Sequence, residues 1–336
     1  ILADDKFKKF QNVHHRFLPV DVGFLINNFL SAWRPKSIFL VDSEIWPNLI
    51  LISKKRKIPI SLINARITSK TYKRWSLFKK TAQYIFSSFD LCLVSNLETK
   101  NYLTNLNAKN IHFHGNIKLI QENDEEKIEG SNNEFLKKNK FWFAASTHKG
   151  EELFCLKTHI KLKEKIQDIF TIIAPRHIDR VNEIKRLCDK LKLESQILEK
   201  KDKILTDKEI IIVNSFGMLL EFFKFTKSVF IGKSLLKKFE EVGGQNPIDA
   251  AKLGCKIYHG PYVYNFREIY NILKENKISQ EVNSSNEMTN SILMDLNKID
   301  QDIKKQSSIL DHLGQKTLED TMKILEKTLF NENVKA

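Results

Sequence analysis

The chain has 336 residues, 42% hydrophobic and 29% charged, and 55 Lys plus Arg against 41 Asp plus Glu give a net charge of +14. This composition excludes a disordered chain, and no apolar run approaches the ~18 residues of a membrane span. The positive charge favours an anionic partner, such as a phosphorylated substrate, nucleic acid or an anionic membrane surface. Compositional bias is a second explanation, because Lys, Asn and Ile are abundant throughout.

The four cysteines are spread along the chain without a CxxC pair, at Cys92, Cys155, Cys188 and Cys255. This spacing argues against a zinc site or a disulfide framework and fits a reducing compartment.

In the first 120 residues, short β-rich runs alternate with amphipathic stretches. The pattern predicts strands at Ser37–Val41, Ile58–Ile63, Asp90–Val94 and Asn110–His114, and a single helix over Tyr72–Phe86. The charged residues that follow, which include Gly and Asn, predict an interdomain linker.

The alternation restarts beyond this linker. Strands are predicted at Phe141–Ala145, Asp168–Ala174, Glu209–Val213, Ser228–Ile231 and Lys256–His259. Helices are predicted at Glu151–Glu164, Ile178–Leu193, Pro247–Leu253, Asn265–Lys274 and, near the end, Lys316–Phe330.

Strands alternating with helices predict an α/β protein with parallel sheets covered by helices on both faces. We expect a first domain over 1–120, a linker over 121–139, a second domain over 140–312, and a C-terminal helix over 313–336 that packs back on the first domain. In doubly wound sheets ligands bind beyond the carboxyl ends of the strands, so the residues just after each strand are the candidates for a site.

The strongest local signal is the run from Gly243 to Ala251, GGQNPIDAA. Its two glycines permit a tight turn, and Asn246 followed by Pro247 is typical of a helix start. Free N–H groups at such a start suit a phosphate, and Asp249 can accept hydrogen bonds from a ribose. A purely structural role for Asp249, as part of the helix cap, is the alternative.

Two further runs follow strands of the second half. Arg176, in APRH, can clamp a phosphate with its planar guanidinium group, although a structural role is equally compatible. Gly217, in NSFGML, lets backbone N–H groups reach a ligand, but a lone glycine there is more often only a turn.

The run STHKGEE, from Ser146 to Glu152, stands between a strand and a helix. Its hydroxyl groups can cap that helix and its acidic residues favour the positive end of the helix dipole. Ser–His–Glu catalysis is the less favoured alternative.

Two candidates lie in the first half. Asp42 and Glu44, in VDSEIWPN, end the first strand and can stabilise a positively charged transition state or orient a hydroxyl group. Capping of the helix at Pro47–Lys54 is the alternative for them. Lys118, in GNIK, can place a positive charge in a cleft, or is one exposed lysine among many.

Taken in order, these segments resemble one family, the 3-deoxy-D-manno-octulosonic acid (Kdo) transferases of lipopolysaccharide biosynthesis. The similarity covers roughly Leu18 to Phe266, and the matching runs are DSEIWPNLI, INARI, GNIK, ASTHKGEE, APRHIDR, FGMLLEFF, FIGKSL, GGQNPIDAA and GPYVYNF.

The resemblance implies a GT-B type fold, with two Rossmann-like doubly wound domains facing across a cleft. It implies inverting transfer of Kdo from CMP-Kdo to a lipid A precursor (lipid IVA), with no metal or other cofactor and no nucleic acid partner. It also implies work at the cytoplasmic face of the inner membrane, where a basic surface suits the phosphates of the acceptor and the anionic membrane.

The resemblance also assigns roles to individual positions. Asp42 and Lys118 match positions thought to stabilise the transition state. The positions that match contacts to CMP are Pro175, Arg176, Phe216, Gly217, Met218, Asn246, Pro247, Ile248 and Asp249.

Four positions differ from the family pattern: Asp42, Met218 and Asp249 stand where Glu is usual, and Lys233 stands for a glycine. The family's N-terminal anchor and its general-base Glu, in a Gly-Glu motif, have no counterpart here. We therefore expect a C-terminal portion of such an enzyme. A non-catalytic remnant that binds a nucleotide or a partner chain is the alternative. Nucleic-acid binding is a weaker one, since no basic stripe with interleaved aromatics appears.

Overall fold

Two parallel β-sheets organise the protein. The computed structural model describes residues 12–120, 132–297 and 303–330. Its described residues up to Ile117 and from Thr317 onward form a first unit, and those from Lys118 to Lys316 form a second. Each unit has its own sheet and its own hydrophobic core.

The first unit contains a four-stranded sheet in the order β1-β2-β3-β4, with every pair parallel. Its elements are α1 (Gly23–Trp33), β1 (Ile38–Val41), α2 (Pro47–Lys55), β2 (Ile60–Ala65), α3 (Ser69–Ser76), α4 (Lys79–Phe86), β3 (Leu91–Val94), α5 (Leu97–Asn105) and β4 (Ile111–Phe113). One core lies between the sheet and these helices, and includes Ile26, Ile50 and Phe86. Ile324 and Leu325 of the C-terminal helix pack on Ile63, Leu91 and Leu93.

The second unit contains a seven-stranded parallel sheet in the order β11-β10-β9-β5-β6-β8-β7. Its elements are α6 (Asn133–Lys138), β5 (Phe141–Thr147), α7 (Glu151–Lys163), β6 (Phe170–Pro175), α8 (Val181–Lys190), β7 (Ser195–Leu198), β8 (Ile210–Val213), α9 (Leu219–Phe225), β9 (Ser228–Ile231), α10 (Ile248–Lys252), β10 (Lys256–His259), α11 (Arg267–Glu275), β11 (Ser279–Glu281) and α12 (Ser285–Leu296). The long α13 (Ile303–Phe330) begins in this unit and ends in the first.

Side-chain alternation along the central strand β5 explains why the second sheet is covered on both faces. Phe141 and Phe143 belong to one core cluster, whereas Trp142 and Ala144 belong to another. Successive side chains of a strand point to opposite faces, so a continuous apolar run such as FWFAA requires an apolar layer on each side. The predicted class of α/β protein with parallel, helix-covered sheets is confirmed.

The structure corrects two predicted helices and adds two strands, and the helices α1, α5, α6, α9 and α12 were not predicted either. The C-terminal helix begins at Ile303 rather than at Lys316. The single helix expected over Tyr72–Phe86 is wrong, because α3 ends at Ser76 and α4 begins at Lys79. The strands β7 and β11 were not predicted, and both lie at the edges of the seven-stranded sheet. Edge strands carry more polar side chains than central ones, which weakens their signal in the sequence.

The linker was predicted over 121–139, and its residues 121–131 lie outside the described residues. Beyond these residues, α6 contributes Leu136 to the core of the second unit. The exact domain boundaries stay a prediction.

Candidate functional site

Three of the predicted binding segments lie at one edge of the seven-stranded sheet. Arg176 directly follows β6, and Phe216 to Met218 follow the neighbouring strand β8. The third segment ends the long loop after β9, and there the N–H of Gly244 donates to the carbonyl of Lys233, 2.7 Å away. Because the strands are parallel, their carboxyl ends meet at the same edge. All nine predicted CMP positions are therefore in the second unit, in segments at that edge.

Arg176 presents a cation at this edge. Pro175 is buried at the end of β6, and the backbone N–H of Arg176 donates to the Thr147 carbonyl of β5 at 3.0 Å. The Arg176 side chain is exposed, and within the described parts of the chain it has neither an ion-pair nor a hydrogen-bond partner. A fixed backbone with an uncommitted guanidinium group suits a phosphate ligand.

The loop after β8 combines an exposed ring, a glycine and a buried side chain. Phe216 is 66% exposed, whereas Met218 is 4% exposed and belongs to the core of the unit. Gly217 has a φ of +84°, and a Cβ added there would meet no atom within 4 Å. Met218 can therefore face a ligand only with its backbone, while Phe216 and Gly217 border open space.

The Gly243–Asp249 segment is held by close backbone packing. A Cβ on Gly243 would lie 2.1 Å from the Tyr262 carbonyl oxygen, so only glycine allows this approach. The Oδ1 of Asn246 accepts a hydrogen bond at 3.1 Å from the N–H of Ile248, the first residue of the short helix α10. Pro247 precedes the helix rather than beginning it, and Asp249 lies half-buried in the first turn.

Glu151 is a central residue of the site whose role was not predicted from the sequence. It is 0% exposed, and its carboxylate accepts hydrogen bonds from the N–H groups of Lys233 (2.7 Å), Ser234 (2.8 Å) and Leu235 (3.0 Å). A fourth N–H, that of His148, donates to it at 2.9 Å. Burial raises the pKa of Glu151, and these four donors act in the opposite direction. This carboxylate ties the start of α7 to the loop that leads to Gly243.

The adjacent Glu152 ties α7 to the loop on the other side. Its carboxylate is 2% exposed and receives Nη1 of Arg180 at 2.7 Å and Nη2 at 3.2 Å. Such a two-pronged pair fixes orientation as well as distance. Arg180 lies four residues after Arg176, so Glu152 helps to hold the loop that presents the exposed guanidinium group.

The geometry rules out the Ser–His–Glu alternative. Nδ1 of His148 lies 3.1 Å from the backbone carbonyl of Ser146 rather than bonding to its hydroxyl group. The Glu151 carboxylate is occupied by four backbone N–H groups. Burial lowers the pKa of His148, and its ring packs against His177 and Phe239 at centroid distances of 5.6 and 5.5 Å. The role of His148 is therefore structural.

Lys233 adopts a backbone conformation that glycine prefers. Its φ is +58°, in the left-handed region where a side chain with a Cβ is strained. The difference from the family pattern noted in the sequence thus falls where glycine is conformationally favoured. The three successive N–H groups that Glu151 accepts, beginning with that of Lys233, help to hold this turn.

In the first unit, Asp42 is held by Asn64. Nδ2 of Asn64 donates to Oδ1 of Asp42 at 2.6 Å, and Oδ1 of Asn64 accepts the N–H of Ile117 at 3.2 Å. Both residues have positive φ, +59° for Asp42 and +53° for Asn64, as the short polar side chains of Asp and Asn tolerate. The side chain of Asn64 thus fixes the Asp42 carboxylate at the carboxyl end of the sheet.

The helix cap that was the alternative role for Asp42 and Glu44 is supplied by another residue. The carboxylate of Asp21 accepts the N–H groups of Asn48 and Leu49, both at 2.9 Å, at the start of α2. Glu44 instead accepts a hydrogen bond from Nε1 of Trp46 at 2.8 Å. Lys118 belongs to the second unit, where its ammonium group lies 5.8 Å from the centre of the Phe266 ring.

Replacing Asn64 with Ala should lower the free energy of unfolding by about 2 kcal/mol. Two hydrogen bonds are lost, one of them to a carboxylate, and Ala is strained at positive φ. Asn107→Ala is the matched control, because Asn107 also has a φ of +60° but is exposed. Urea unfolding of both variants measures the difference, and equal losses would mean that the Asp42–Asn64 bond contributes nothing.

The residues that the structure describes contain neither a candidate metal site nor a candidate membrane-spanning helix. In 12–120, 132–297 and 303–330, no group of three His, Cys, Asp or Glu side chains is close enough to hold a metal ion. In the same ranges, no helix has the length and apolar character needed to cross a membrane. All four cysteines are buried and unpaired.

Comparison with known proteins shows which proteins this chain is similar to. Residues 2–121 match the family model described as 3-deoxy-D-manno-octulosonic-acid transferase (kdotransferase). The chain is 31% identical over 281 residues to a 3-deoxy-D-manno-octulosonic acid transferase of Haemophilus influenzae, covering 82% of this chain and 64% of that protein. It is 29% identical over 322 residues to the transferase of the same name from Rickettsia bellii, covering 93% of this chain and 75% of that one.

A solved structure shares the fold. The UDP-GlcNAc 2-epimerase of Neisseria meningitidis, bound to UDP-GlcNAc, matches 98% of this chain and 88% of its own with a TM-score of 0.59 at 12% identity. At that identity the likeness shows the fold alone. The chain spans 64% of the length of the Haemophilus relative.

Proposed function

We propose that the second unit of this chain, which is similar to Kdo transferases over most of its length and has a GT-B type fold, binds CMP-Kdo. The complete enzyme would transfer Kdo to a hydroxyl group of a lipid A precursor, at the cytoplasmic face of the inner membrane. The observation that carries the proposal is the convergence of the Arg176, Gly217 and Gly243 loops at the carboxyl edge of one sheet. Such an edge is where doubly wound proteins bind nucleotides.

Each loop has a chemical role in this proposal. Arg176 binds the phosphate, which its exposed and uncommitted guanidinium group supports. The Phe216 ring, two-thirds exposed, offers an apolar face to the cytosine base, and Gly217 leaves room for it. In the Asn246–Asp249 segment, backbone N–H groups donate to phosphate oxygens, and the Asp249 carboxylate accepts hydrogen bonds from ribose hydroxyl groups.

The sugar-transfer step assigns roles to Asp42 and Lys118. An acceptor hydroxyl group attacks the anomeric carbon of Kdo on the face opposite CMP, so that the configuration inverts and CMP leaves with the bonding electron pair. Asp42 stabilises the positive charge that develops on the sugar ring, and Lys118 offsets the negative charge on the departing phosphate. No residue of this chain is assigned as the base that takes the hydroxyl proton.

Titration of the chain with CMP, beside UMP and AMP, tests the donor site by calorimetry. We expect selective binding of CMP, and a loss of about 10- to 100-fold in affinity on Arg176→Ala, because a hydrogen-bonded charge pair with phosphate is removed. Arg186→Ala is the matched control, since Arg186 is an exposed arginine on α8 of the same unit.

The outcomes separate the candidate functions. Equal affinities of the two arginine variants for CMP would remove Arg176 from the site. Failure of the folded chain to bind any of the three nucleotides would overturn the donor-site proposal. Selective CMP binding without transfer, even with acceptor supplied, would favour a nucleotide-binding protein that does not catalyse.

A further inference from the structure

Lys233 places a long cationic side chain at the carboxyl edge of the seven-stranded sheet. It stands two residues after the end of β9, where the family pattern has a glycine. Its φ of +58° is in the left-handed region, in which a residue with a Cβ is strained. Strained residues persist only where the surrounding structure fixes them, and they are concentrated at functional sites.

Three other lysines with positive φ have an explanation that Lys233 lacks. Each lies two residues beyond the end of a helix: Lys57 after α2, Lys192 after α8 and Lys277 after α11. A left-handed residue commonly ends a helix, and the negative end of the helix dipole favours a cation there. Lys233 instead follows a strand, and its N–H is tied by Glu151 to the start of α7, where the dipole disfavours a cation.

The backbone of Lys233 is held from two sides. Its N–H donates to Oε2 of Glu151 at 2.7 Å, and its carbonyl accepts the N–H of Gly244 at 2.7 Å. A Cβ added to Gly243 would lie 2.9 Å from the same carbonyl oxygen. The side chain of Lys233 therefore starts from a fixed point between α7 and the Gly243–Asp249 segment.

Strand register places Lys233 level with Arg176. Ala145 of β5 pairs with Ala174 of β6 on one side and with Ile231 of β9 on the other. Arg176 and Lys233 each stand two residues beyond these partners, so their backbones are two strand spacings apart, roughly 10 Å. Two long cationic side chains at the same edge can both reach a ligand seated over the end of β5.

The charge of Lys233 acts on the same part of the edge. The ring of His148, which directly follows β5, packs against the ring of His177 at a centroid distance of 5.6 Å. His177 is the neighbour of Arg176 in the chain. Burial lowers the pKa of His148, and the positive charge of Lys233 lowers it further. Lys233 and Arg176 thus concentrate positive charge at one end of β5.

We infer that Lys233 binds the carboxylate of the donor sugar while Arg176 binds the phosphate. Kdo is a 2-keto acid sugar, so its anomeric carbon bears the carboxylate and, in CMP-Kdo, the phosphate oxygen as well. Two anions on one carbon match two cations on either side of β5. The inference rests on the proposed function and extends it to a class of donor, the nucleotides whose sugar carries a carboxylate at the anomeric carbon.

Calorimetric titration with two ligands separates the carboxylate from the nucleotide. CMP and freshly prepared CMP-Kdo are titrated into the full chain without an acceptor. Lys233→Gly should lower the affinity for CMP-Kdo about ten-fold, because a charge-assisted hydrogen bond is lost, and the affinity for CMP by less than about two-fold. The same variant should unfold at a higher urea concentration than the unaltered chain, because glycine relieves the positive φ.

Two further variants separate the charge from the backbone. Lys233→Met keeps a side chain at positive φ and removes its charge, so it should lose CMP-Kdo affinity as Lys233→Gly does but without the gain in stability. Lys192→Gly is the matched control, because Lys192 is an exposed lysine of the same unit with a φ of +56°. It should relieve a similar strain and leave the affinity for both ligands unchanged.

The outcomes distinguish this inference from the proposed function. If the folded chain binds neither CMP nor CMP-Kdo, the proposed function fails and the inference fails with it. If both ligands bind, and the Lys233 variants bind CMP-Kdo as the unaltered chain does, only the inference fails. If the variants lose equal affinity for both ligands, Lys233 contacts the nucleotide rather than the carboxylate, and the inference is again overturned.

Discussion

Replacing Glu151 with Ala is expected to lower the free energy of unfolding by about 3–5 kcal/mol, because several backbone donors lose one shared acceptor and each unsatisfied buried donor costs about 1–3 kcal/mol. Four backbone N–H groups, those of His148, Lys233, Ser234 and Leu235, lose their acceptor at once. Each buried donor left unsatisfied carries a desolvation cost of its own.

The same substitution should also abolish CMP binding. Glu151 holds the start of the loop that runs from β9 to Gly243 and Asn246. The proposed CMP contacts at the far end of this loop are positioned only if its start is held in place. The stability and the CMP affinity of Glu151→Gln should lie between those of Glu151→Ala and those of the unaltered chain. The amide oxygen of Gln still accepts hydrogen bonds, but its NH2 group faces N–H donors.

The control for Glu151 lies on the same helix. Glu164 is exposed at the carboxyl end of α7, where a negative charge is unfavourable to the helix dipole. Glu164→Ala should therefore change stability by less than about 0.5 kcal/mol. Urea unfolding and calorimetric titration with CMP measure both effects. If Glu151→Ala unfolded like Glu164→Ala, the buried carboxylate would not be what holds the loop.

Gly243→Ala should destabilise the protein by about 3 kcal/mol, at the upper end of the cost of overpacking. The added Cβ would lie 2.1 Å from the Tyr262 carbonyl oxygen, 2.7 Å from that of Phe239 and 2.9 Å from that of Lys233. All three obstacles are backbone atoms, so no side-chain rotation relieves them. The loops must separate, and the proposed CMP contacts at Asn246 and Asp249 separate with them.

Two other glycines calibrate this effect. At Gly217 an added Cβ has room but the φ of +84° is strained, so Gly217→Ala should cost only about 1 kcal/mol. At Gly23, on α1, the nearest atom is 4.0 Å away and φ is unremarkable, so Gly23→Ala should be neutral or slightly stabilising. Thermal unfolding of the three variants should rank them in this order. A Gly243→Ala protein as stable as Gly23→Ala would show that the close approach is not required.

Contacts between residues distant in sequence explain what sequence reasoning missed. Glu151 and Glu152 were interpreted as acidic residues favourable to a helix start, and their burial depends on Lys233 and Arg180, 82 and 28 positions away. Likewise, the cap of α2 comes from Asp21, 27 positions before Asn48. A carboxylate at a helix start has the same sequence signature whether it faces solvent or a second loop.

Burial of individual side chains was also beyond the sequence pattern. Met218 belongs to a segment predicted to contact a nucleotide, yet its side chain is 4% exposed within the core. The break between α3 and α4 was missed because Leu77 and Phe78 continue an apolar helical spacing, although both are exposed. Hydrophobic periodicity indicates which residues lie on one face of a helix. It does not reveal whether another part of the protein packs against that face.

The features that follow from the amino-acid sequence alone are local and repetitive. Alternation of strands and helices gave the class of the fold, and Ser228–Ile231 and Lys256–His259 were predicted with the bounds they have, because buried central strands are short continuous apolar runs between turn residues. The positions just after strands gave the candidate residues. Which of them share an edge, and what holds them there, depends on packing between segments far apart in the chain, because that packing sets the strand order and the partners of buried charges.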